Sequence, residues 1–111
     1  MWKAAMELAV GCYSATRQFP ASEAFGMTSQ VRRSAASIAA NIAEGHGREN
    51  TGSFIQFLRI AQGSVKELET HIILCQRVGL LGDAVATSME VQCNEIGRML
   101  RALIRSLQKR A

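Results

Sequence analysis

Apolar residues recur every three or four positions along four separate segments of the chain, which is the spacing of amphipathic α-helices. The first segment runs from about Trp2 to Phe19 and is predicted to end at Pro20, because proline cannot continue a helix. The apolar face of this first helix is expected to carry Trp2, Met6, Ala9, Tyr13 and Thr16.

Two further helices are predicted on either side of GHGRENTG, the most polar and glycine-rich connection in the chain. The second helix is expected to begin with an N-cap at Thr28 and to end at Gly45, since glycine is common where a helix stops. The third helix, capped by Asn50 or Thr51, is expected to stop at Gly79. Its apolar face comprises Phe54, Leu58, Ala61, Val65, Leu68, Ile72 and Cys75.

A fourth helix is predicted after the segment GLLG, with Asp83 as its N-cap. Its apolar face carries Val85, Met89, Ile96, Leu100, Leu103 and Leu107. The composition favours helices over strands, since the chain has a single proline and only 5% aromatic residues. Four amphipathic helices joined by short loops predict an all-α fold, an up-down antiparallel four-helix bundle that forms one domain over residues 1–111.

The predicted second helix has a polar stripe that differs from a solvated surface. This stripe comprises Gln30, Ser34, Ser37, Asn41 and Glu44, and a neighbouring stripe of small residues comprises Ala36, Ala39, Ala40 and Ala43. A water-facing stripe is usually rich in lysine and glutamate, whereas small uncharged groups form hydrogen bonds when they are removed from water. We therefore expect a desolvated polar seam beside a surface that another backbone can approach closely.

The third helix offers a matching second face. Its members are Ile60, Gly63, Ser64, Glu67 and His71. A glycine inside a helix costs about 1 kcal/mol relative to alanine, so Gly63 favours close helix packing at that position. The predicted polar network comprises Ser37, Asn41, Glu44, Ser64 and Glu67, together with Arg33 to neutralise the two carboxylates. The sequence leaves open whether this network lies within one protomer or between two.

Positive charge is concentrated in the fourth helix. The chain has 13 Lys and Arg against 9 Asp and Glu, which gives a net charge of +4. The last turns of the helix contain five cations and no acid, namely Arg98, Arg101, Arg105, Lys109 and Arg110. Four of them form a stripe opposite the leucines, so the helix can bury one face and present cations on the other. Contact with a phosphate backbone is one interpretation of this stripe, and an ordinary solvated face is the other.

The residues around these cations indicate what kind of anionic partner they suit. No aromatic residue is interleaved with them, which favours the backbone of structured RNA or DNA over stacking on single-stranded bases. The lack of Trp or Phe at the apolar border argues against a membrane surface. Arg48, near the start of the third helix, is a further candidate phosphate contact, because arginine there suits anions.

The sequence predicts no catalytic, cofactor or metal site. Glu44, His46 and Arg48 lie close together, but no nucleophile accompanies them. The tripeptide GHG lacks the preceding strand and the third glycine of a dinucleotide-binding motif. Glu67 and His71 supply only two of the ligands that a metal site needs. We therefore expect a protein that is not an enzyme.

Cysteine content and hydropathy indicate a cytoplasmic protein. The three cysteines are odd in number, lack metal-type spacing and fall on or beside apolar stripes, so no disulfide framework is expected and a reducing compartment is favoured. No stretch approaches the roughly 20 apolar residues that a membrane-spanning helix requires.

The segment SQVRRSAASIAANIAEGHGR, followed by FIQFLRIAQGSVKELET, resembles the four-helix-bundle family of 23S rRNA intervening-sequence proteins, which also includes the accessory variability determinant of diversity-generating retroelements. The similarity covers nearly the whole chain. The matching positions are Arg33, Ser37, Asn41, Glu44, Gly45, Arg48, Gly63, Ser64 and Glu67. The resemblance implies a four-helix bundle that assembles into a homopentameric ring or barrel with a basic surface. In the retroelement relatives it also implies binding to nucleic acid and to a reverse transcriptase.

The expected function is therefore that of a homo-oligomeric accessory or scaffold protein that binds nucleic acid through a basic surface. The alternative is a structural or protein-binding module without a nucleic-acid role. In that case the basic stripe only keeps the protein soluble.

Overall fold

Four α-helices make up the protein in the computed structural model, which describes residues 1–110. They are α1 (Trp2–Thr16), α2 (Met27–His46), α3 (Thr51–Arg77) and α4 (Asp83–Arg110), and a short 3-10 helix at Ala21–Glu23 lies between α1 and α2. No strand occurs within residues 1–110. The prediction of an all-α four-helix bundle is confirmed.

Each helix packs against the helices next to it in the chain, and α1 also packs against α4. The short connections make successive helices antiparallel. The bundle measures 47 × 23 × 19 Å, which fits the length of about 42 Å expected for a helix as long as α4. In this cyclic order the α1–α2 pair lies on the opposite side of the bundle from the α3–α4 pair, so the two pairs present separate surfaces.

The helix α4 buries a stripe with a seven-residue repeat. Its buried side chains are Ala86, Met89, Cys93, Ile96, Leu100, Ile104 and Leu107. The predicted face is wrong at two positions, because Val85 is exposed and Leu103 is only half-buried. A seven-residue repeat corresponds to 3.5 residues per turn, and it keeps one seam against neighbouring helices when the helices coil slightly around each other.

The helix α1 buries only part of the face predicted for it, because Ala9 and Thr16 are buried but the three larger members are not. Trp2, Met6 and Tyr13 are 45%, 40% and 43% exposed, whereas Leu8 and Cys12 are fully buried. Apolar residues occupy two adjoining stripes of this helix, so spacing alone does not select the inner one. The stripe with the smaller side chains, which includes Leu8 and Cys12, faces the core. The stripe with the aromatic side chains of Trp2 and Tyr13 lies at the edge of the bundle.

The connection between α1 and α2 starts and ends earlier than predicted. The helix α1 stops at Thr16, and Phe19 leaves the helix to be buried in the core. The helix α2 begins at Met27 rather than after a cap at Thr28. The Glu23 carboxylate accepts a hydrogen bond from the Met27 N–H at 3.1 Å, so a residue of the preceding turn already satisfies the helix start.

Both ends of α3 lie where the sequence places them. The Asn50 side chain accepts a hydrogen bond from the Ser53 N–H at 2.8 Å, which resolves the predicted choice of cap in favour of Asn50. At the other end Gly79 has a φ of 83°. The Leu80 N–H donates to the Cys75 carbonyl at 2.8 Å, which is the Schellman arrangement that a glycine with positive φ permits.

Gly45 has a steric role and does not end α2, because the helix continues through it to His46. A Cβ atom on Gly45 would lie 2.8 Å from the Cβ of Phe57 and 3.0 Å from a ring carbon of Phe54. The close approach of α2 and α3 therefore requires glycine here. Within one protomer the expectation of close packing at Gly63 is wrong, since a Cβ there would meet nothing within 4 Å.

The two glycines form a matched pair of variants. Gly45→Ala is expected to lower the free energy of unfolding by about 1–3 kcal/mol, because the added methyl group collides with the phenylalanines of α3. Gly63→Ala is expected to raise it by about 1 kcal/mol, because alanine is the better helix former and meets no neighbour. Urea denaturation measures both values, and a change of the same sign in the two variants would contradict this account.

Candidate nucleic-acid interface

All five cations near the end of α4 are exposed. Four of them, Arg98, Arg101, Arg105 and Lys109, lie within about 80° around the helix axis, and Arg110 lies outside this stripe. The salt bridges within residues 1–110 are Glu44–Arg48 and Lys66–Glu69, so no carboxylate pairs directly with any of the five. This basic stripe is available to an anionic partner.

Arg48 lies at the same end of the bundle as the C-terminus of α4, because α3 and α4 are antiparallel and Arg48 directly precedes α3. Its Nη2 atom lies 3.0 Å from the Glu44 Oε1 atom, and its guanidinium group lies 4.7 Å from the centre of the Phe57 ring. Both members of this ion pair are exposed, so water screens their attraction. A phosphate can therefore compete with Glu44 for Arg48, while the ring holds the guanidinium in place.

Three of the six residues predicted for the polar network come together between α2 and α3. The hydroxyl groups of Ser37 and Ser64 lie 2.8 Å apart and form a hydrogen bond. The Asn41 Nδ2 atom donates to the Ser37 carbonyl at 2.8 Å and to its hydroxyl at 3.0 Å. Ser64 is buried, and the other two are half-buried. This part of the polar seam lies within one protomer.

The other three residues, Arg33, Glu44 and Glu67, are exposed and stand outside this cluster. Glu44 pairs with Arg48 rather than with a residue of the seam. Long charged side chains can reach water from the edge of a helix interface, whereas the short hydroxyl and amide groups cannot. Within one chain, the seam is therefore small and uncharged.

Arg32 holds the end of α1 against α2, a role that the sequence did not indicate. Its Nε atom donates to the Thr16 hydroxyl at 2.8 Å, and its Nη2 atom donates to the Tyr13 carbonyl at 3.4 Å. Its guanidinium group also lies 4.6 Å from the centre of the Tyr13 ring. The adjacent Arg33 points outward, and only the position of α1 distinguishes the two arginines.

An open apolar groove of about 480 Å³ runs between α1 and α2. Large side chains of α1 line one wall, namely Trp2, Met6, Val10 and Tyr13. The small-residue stripe predicted on α2 lines the other wall, with Ala36, Ala39, Ala40 and Ala43. No other helix of the chain covers this groove within residues 1–110, and a contiguous exposed apolar surface of this kind is typical of a contact site.

The three thiols are free, buried and poor nucleophiles. Burial raises the pKa of Cys12 and of Cys93 to about 12, so both are protonated at neutral pH. His46 is exposed and meets the Phe54 ring edge to face, with 6.0 Å between ring centres. Among residues 1–110 no three potential metal ligands cluster, and none of the helices is both long enough and apolar enough to cross a bilayer.

These features define a small four-helix-bundle protein with a basic stripe on α4 and an apolar groove on the opposite pair of helices. The model of the 23S rRNA-intervening sequence protein family matches residues 1–102, and the chain belongs to that family. It is also similar to the crystal structure of a protein of unknown function from the S23 ribosomal protein family of Bacteroides thetaiotaomicron. The identity is 27%, the TM-score is 0.84, and the match covers 93% of this chain and 96% of that one. No curated protein matches the chain.

The polar seam separates buried from exposed members in a way that stability measurements can test. Asn41→Leu is expected to lower the free energy of unfolding by about 1–3 kcal/mol, because it removes the two hydrogen bonds that the Asn41 amide donates to Ser37 in a largely desolvated contact. Glu44→Ala should lower it by less than about 1 kcal/mol, since it removes only an exposed ion pair. Chemical denaturation of the two variants at low protein concentration compares them, and an equal loss would place Glu44 inside the seam.

Proposed function

We propose that this protein is a non-enzymatic, homo-oligomeric accessory or scaffold protein that binds the backbone of structured RNA or DNA. The observation that carries the proposal is the exposed C-terminal part of α4, where five cations, four of them in one stripe, occur without an acid between Arg98 and Arg110. Cations that neutralise phosphates release bound counterions, and this supplies most of the affinity of backbone binding.

The surroundings of the stripe support backbone contact over base reading. The exposed aromatic side chains of the chain are Trp2, Tyr13 and Phe25, which lie on α1 and in the loop before α2. None of them lies beside the cations of α4, so the stripe offers charge without a stacking platform. Such a surface suits the regular phosphate spacing of a duplex.

The groove between α1 and α2 supports self-association. Its exposed aromatic and aliphatic side chains would leave water on contact with a second copy, while the alanines allow a helix to approach closely. Assembly on this side leaves the α3–α4 side of the bundle free. In the pentamer that the family resemblance implies, five copies with a net charge of +4 would carry +20, a field strong enough to attract nucleic acid from a distance.

A protein partner that acts on nucleic acid is the third part of the proposal. It rests on the resemblance to the retroelement accessory protein, which implies binding to a reverse transcriptase. The fully exposed Phe25 and the exposed charged residues Arg33 and Glu67 offer contact points away from the basic stripe.

The competing function is a structural or protein-binding module. The apolar groove and the exposed Phe25 favour it, since both suit protein contacts and neither needs nucleic acid. Under this alternative the cations of α4 serve only solubility.

Charge reversal on α4 distinguishes the two functions. The double variant Arg98→Glu/Arg105→Glu is expected to weaken binding to a labelled RNA hairpin and to a matched DNA duplex by at least about tenfold. The salt dependence should also become shallower, by about 1 in the log–log slope for each phosphate that is no longer neutralised. Fluorescence anisotropy across a salt series measures both quantities.

The matched control is Lys3→Glu/Arg77→Glu, which changes the charge equally at exposed positions outside the stripe. This control should retain most of the affinity. If the folded Arg98→Glu/Arg105→Glu protein binds RNA and DNA as tightly as the wild type, the proposed nucleic-acid function is contradicted. The protein-binding module would then be the remaining function.

Self-association is tested with a charge in the groove. Ala40→Glu places a carboxylate on the groove wall and is expected to convert the oligomer to monomer, because a buried unpaired charge is costly. The control Ala84→Glu adds the same charge in the first turn of α4, at an exposed site outside the groove. Light scattering after size exclusion gives the mass, and a monomeric wild-type protein would refute the assembly.

A further inference from the structure

A second basic site lies in a cleft of about 420 Å³ between α3 and α4. The residues that matter for its chemistry are Arg59, Gly63, Lys66, Glu69, Gly97 and Arg101. Its volume lies within the range of about 300–1,000 Å³ that is usual for small-ligand sites. The cleft is distinct from the outer face of α4, although Arg101 borders both.

Two glycines line this cleft, and the space beside Gly63 is open. Gly63 and Gly97 lie in the middle of their helices, where glycine is the weaker helix former. Neither has a positive φ, and a Cβ at Gly63 would meet nothing within 4 Å. Neither a turn nor close helix packing therefore requires Gly63. Unfilled space beside a bare backbone is what a bound group needs when it must approach a helix closely.

Two arginines reach the cleft from opposite helices. The antiparallel course of α3 and α4 brings Arg59 and Arg101 to the same end of the cleft, and both are exposed. The Arg101 Nη1 atom lies 3.5 Å from the position of a Cβ on Gly97, so the guanidinium folds back over that glycine. Neither arginine pairs with a carboxylate within residues 1–110.

The other charged pair in the cleft is already satisfied. The Lys66 ammonium lies 3.4 Å from the carboxylate of Glu69, which is half-buried. This pair adds little net charge, so the two arginines supply the attraction. Their planar groups can each make two parallel hydrogen bonds to a phosphate, which a lysine cannot.

We propose that the α3–α4 cleft holds one phosphate of the bound nucleic-acid backbone, with Arg59 and Arg101 as its donors and Gly63 providing room for the attached sugar. This inference rests on the proposed nucleic-acid function and adds a specific phosphate-binding site to it. The cleft fixes the position of the backbone, and the outer stripe of α4 then follows the neighbouring phosphates.

The first test neutralises the arginine that belongs to the cleft alone. Arg59→Gln is expected to weaken binding to a labelled RNA hairpin by about tenfold and to reduce the log–log salt slope by about 1. The control Arg77→Gln removes the same charge from an exposed position on the same helix, away from the cleft. Equal RNA affinities for the two variants would contradict the proposal that the cleft binds a phosphate.

The second test fills the cleft without changing its charge. Gly63→Leu is expected to reduce RNA affinity by about tenfold, while Gly63→Ala, which adds one methyl group in open space, keeps the fold and reduces affinity less. Circular dichroism verifies that both variants are helical. RNA binding by a folded Gly63→Leu protein at wild-type affinity would overturn the proposal.

A third measurement separates failure of the cleft from failure of the function. Inorganic pyrophosphate is titrated into the wild-type protein while NMR follows the Gly63 and Gly97 amides, which are expected to shift together. If RNA binding depends on Arg98 and Arg105 but is unaffected by Arg59→Gln and Gly63→Leu, the cleft is not a phosphate-binding site. The proposed nucleic-acid function would still stand. If pyrophosphate shifts the glycine amides but the protein binds no RNA, the phosphate in the cleft does not come from a nucleic-acid backbone. That result would overturn the proposal and assign the cleft to free phosphate compounds.

Discussion

The burial of one apolar stripe from each of four helices is the constraint on which the rest of this structure depends. In α4 the seven-residue repeat of Ala86, Cys93, Leu100 and Leu107 holds a single seam against the bundle over the length of the helix. Once that seam is inside, Arg98, Arg105 and Lys109 can only face outward. The basic stripe is therefore a direct consequence of how α4 packs.

The packing of α2 against α3 shows how small groups permit a close helix contact. Gly45 leaves no side chain between the helices where the phenylalanines of α3 lie, and the Ser37–Ser64 pair needs little more space. The hydrogen bonds of Asn41 satisfy the polar atoms in this contact, so the seam does not leave them unpaired in a desolvated place. Larger or charged groups remain at its edges, where Arg48 and Glu44 pair in water.

Two proposed contact surfaces follow from the cyclic order of the helices. The apolar groove belongs to α1 and α2, whereas the cleft with Arg59 and Arg101 belongs to α3 and α4 on the other side. A protein with this arrangement can associate with its own copies through one pair of helices and present cations on the other. Binding by an assembly of this kind would combine several weak backbone contacts into one strong interaction.

Local sequence patterns predicted the number of helices, the fold class and the end of α3 at Gly79, and they limited the cap of α3 to Asn50 or Thr51, because periodicity, capping and glycine conformation act over a few neighbouring residues. The helical spacing also predicted that Arg98, Arg101, Arg105 and Lys109 face away from the leucines, and all four are exposed. The tertiary structure decided which of two apolar stripes of α1 is buried, and it decided that Gly45 rather than Gly63 marks the close contact. It likewise selected Arg32 instead of Arg33 as the link to α1 and brought Arg59 opposite Arg101. These outcomes depend on which side chains a neighbouring helix supplies. The sequence of a single helix does not contain that information.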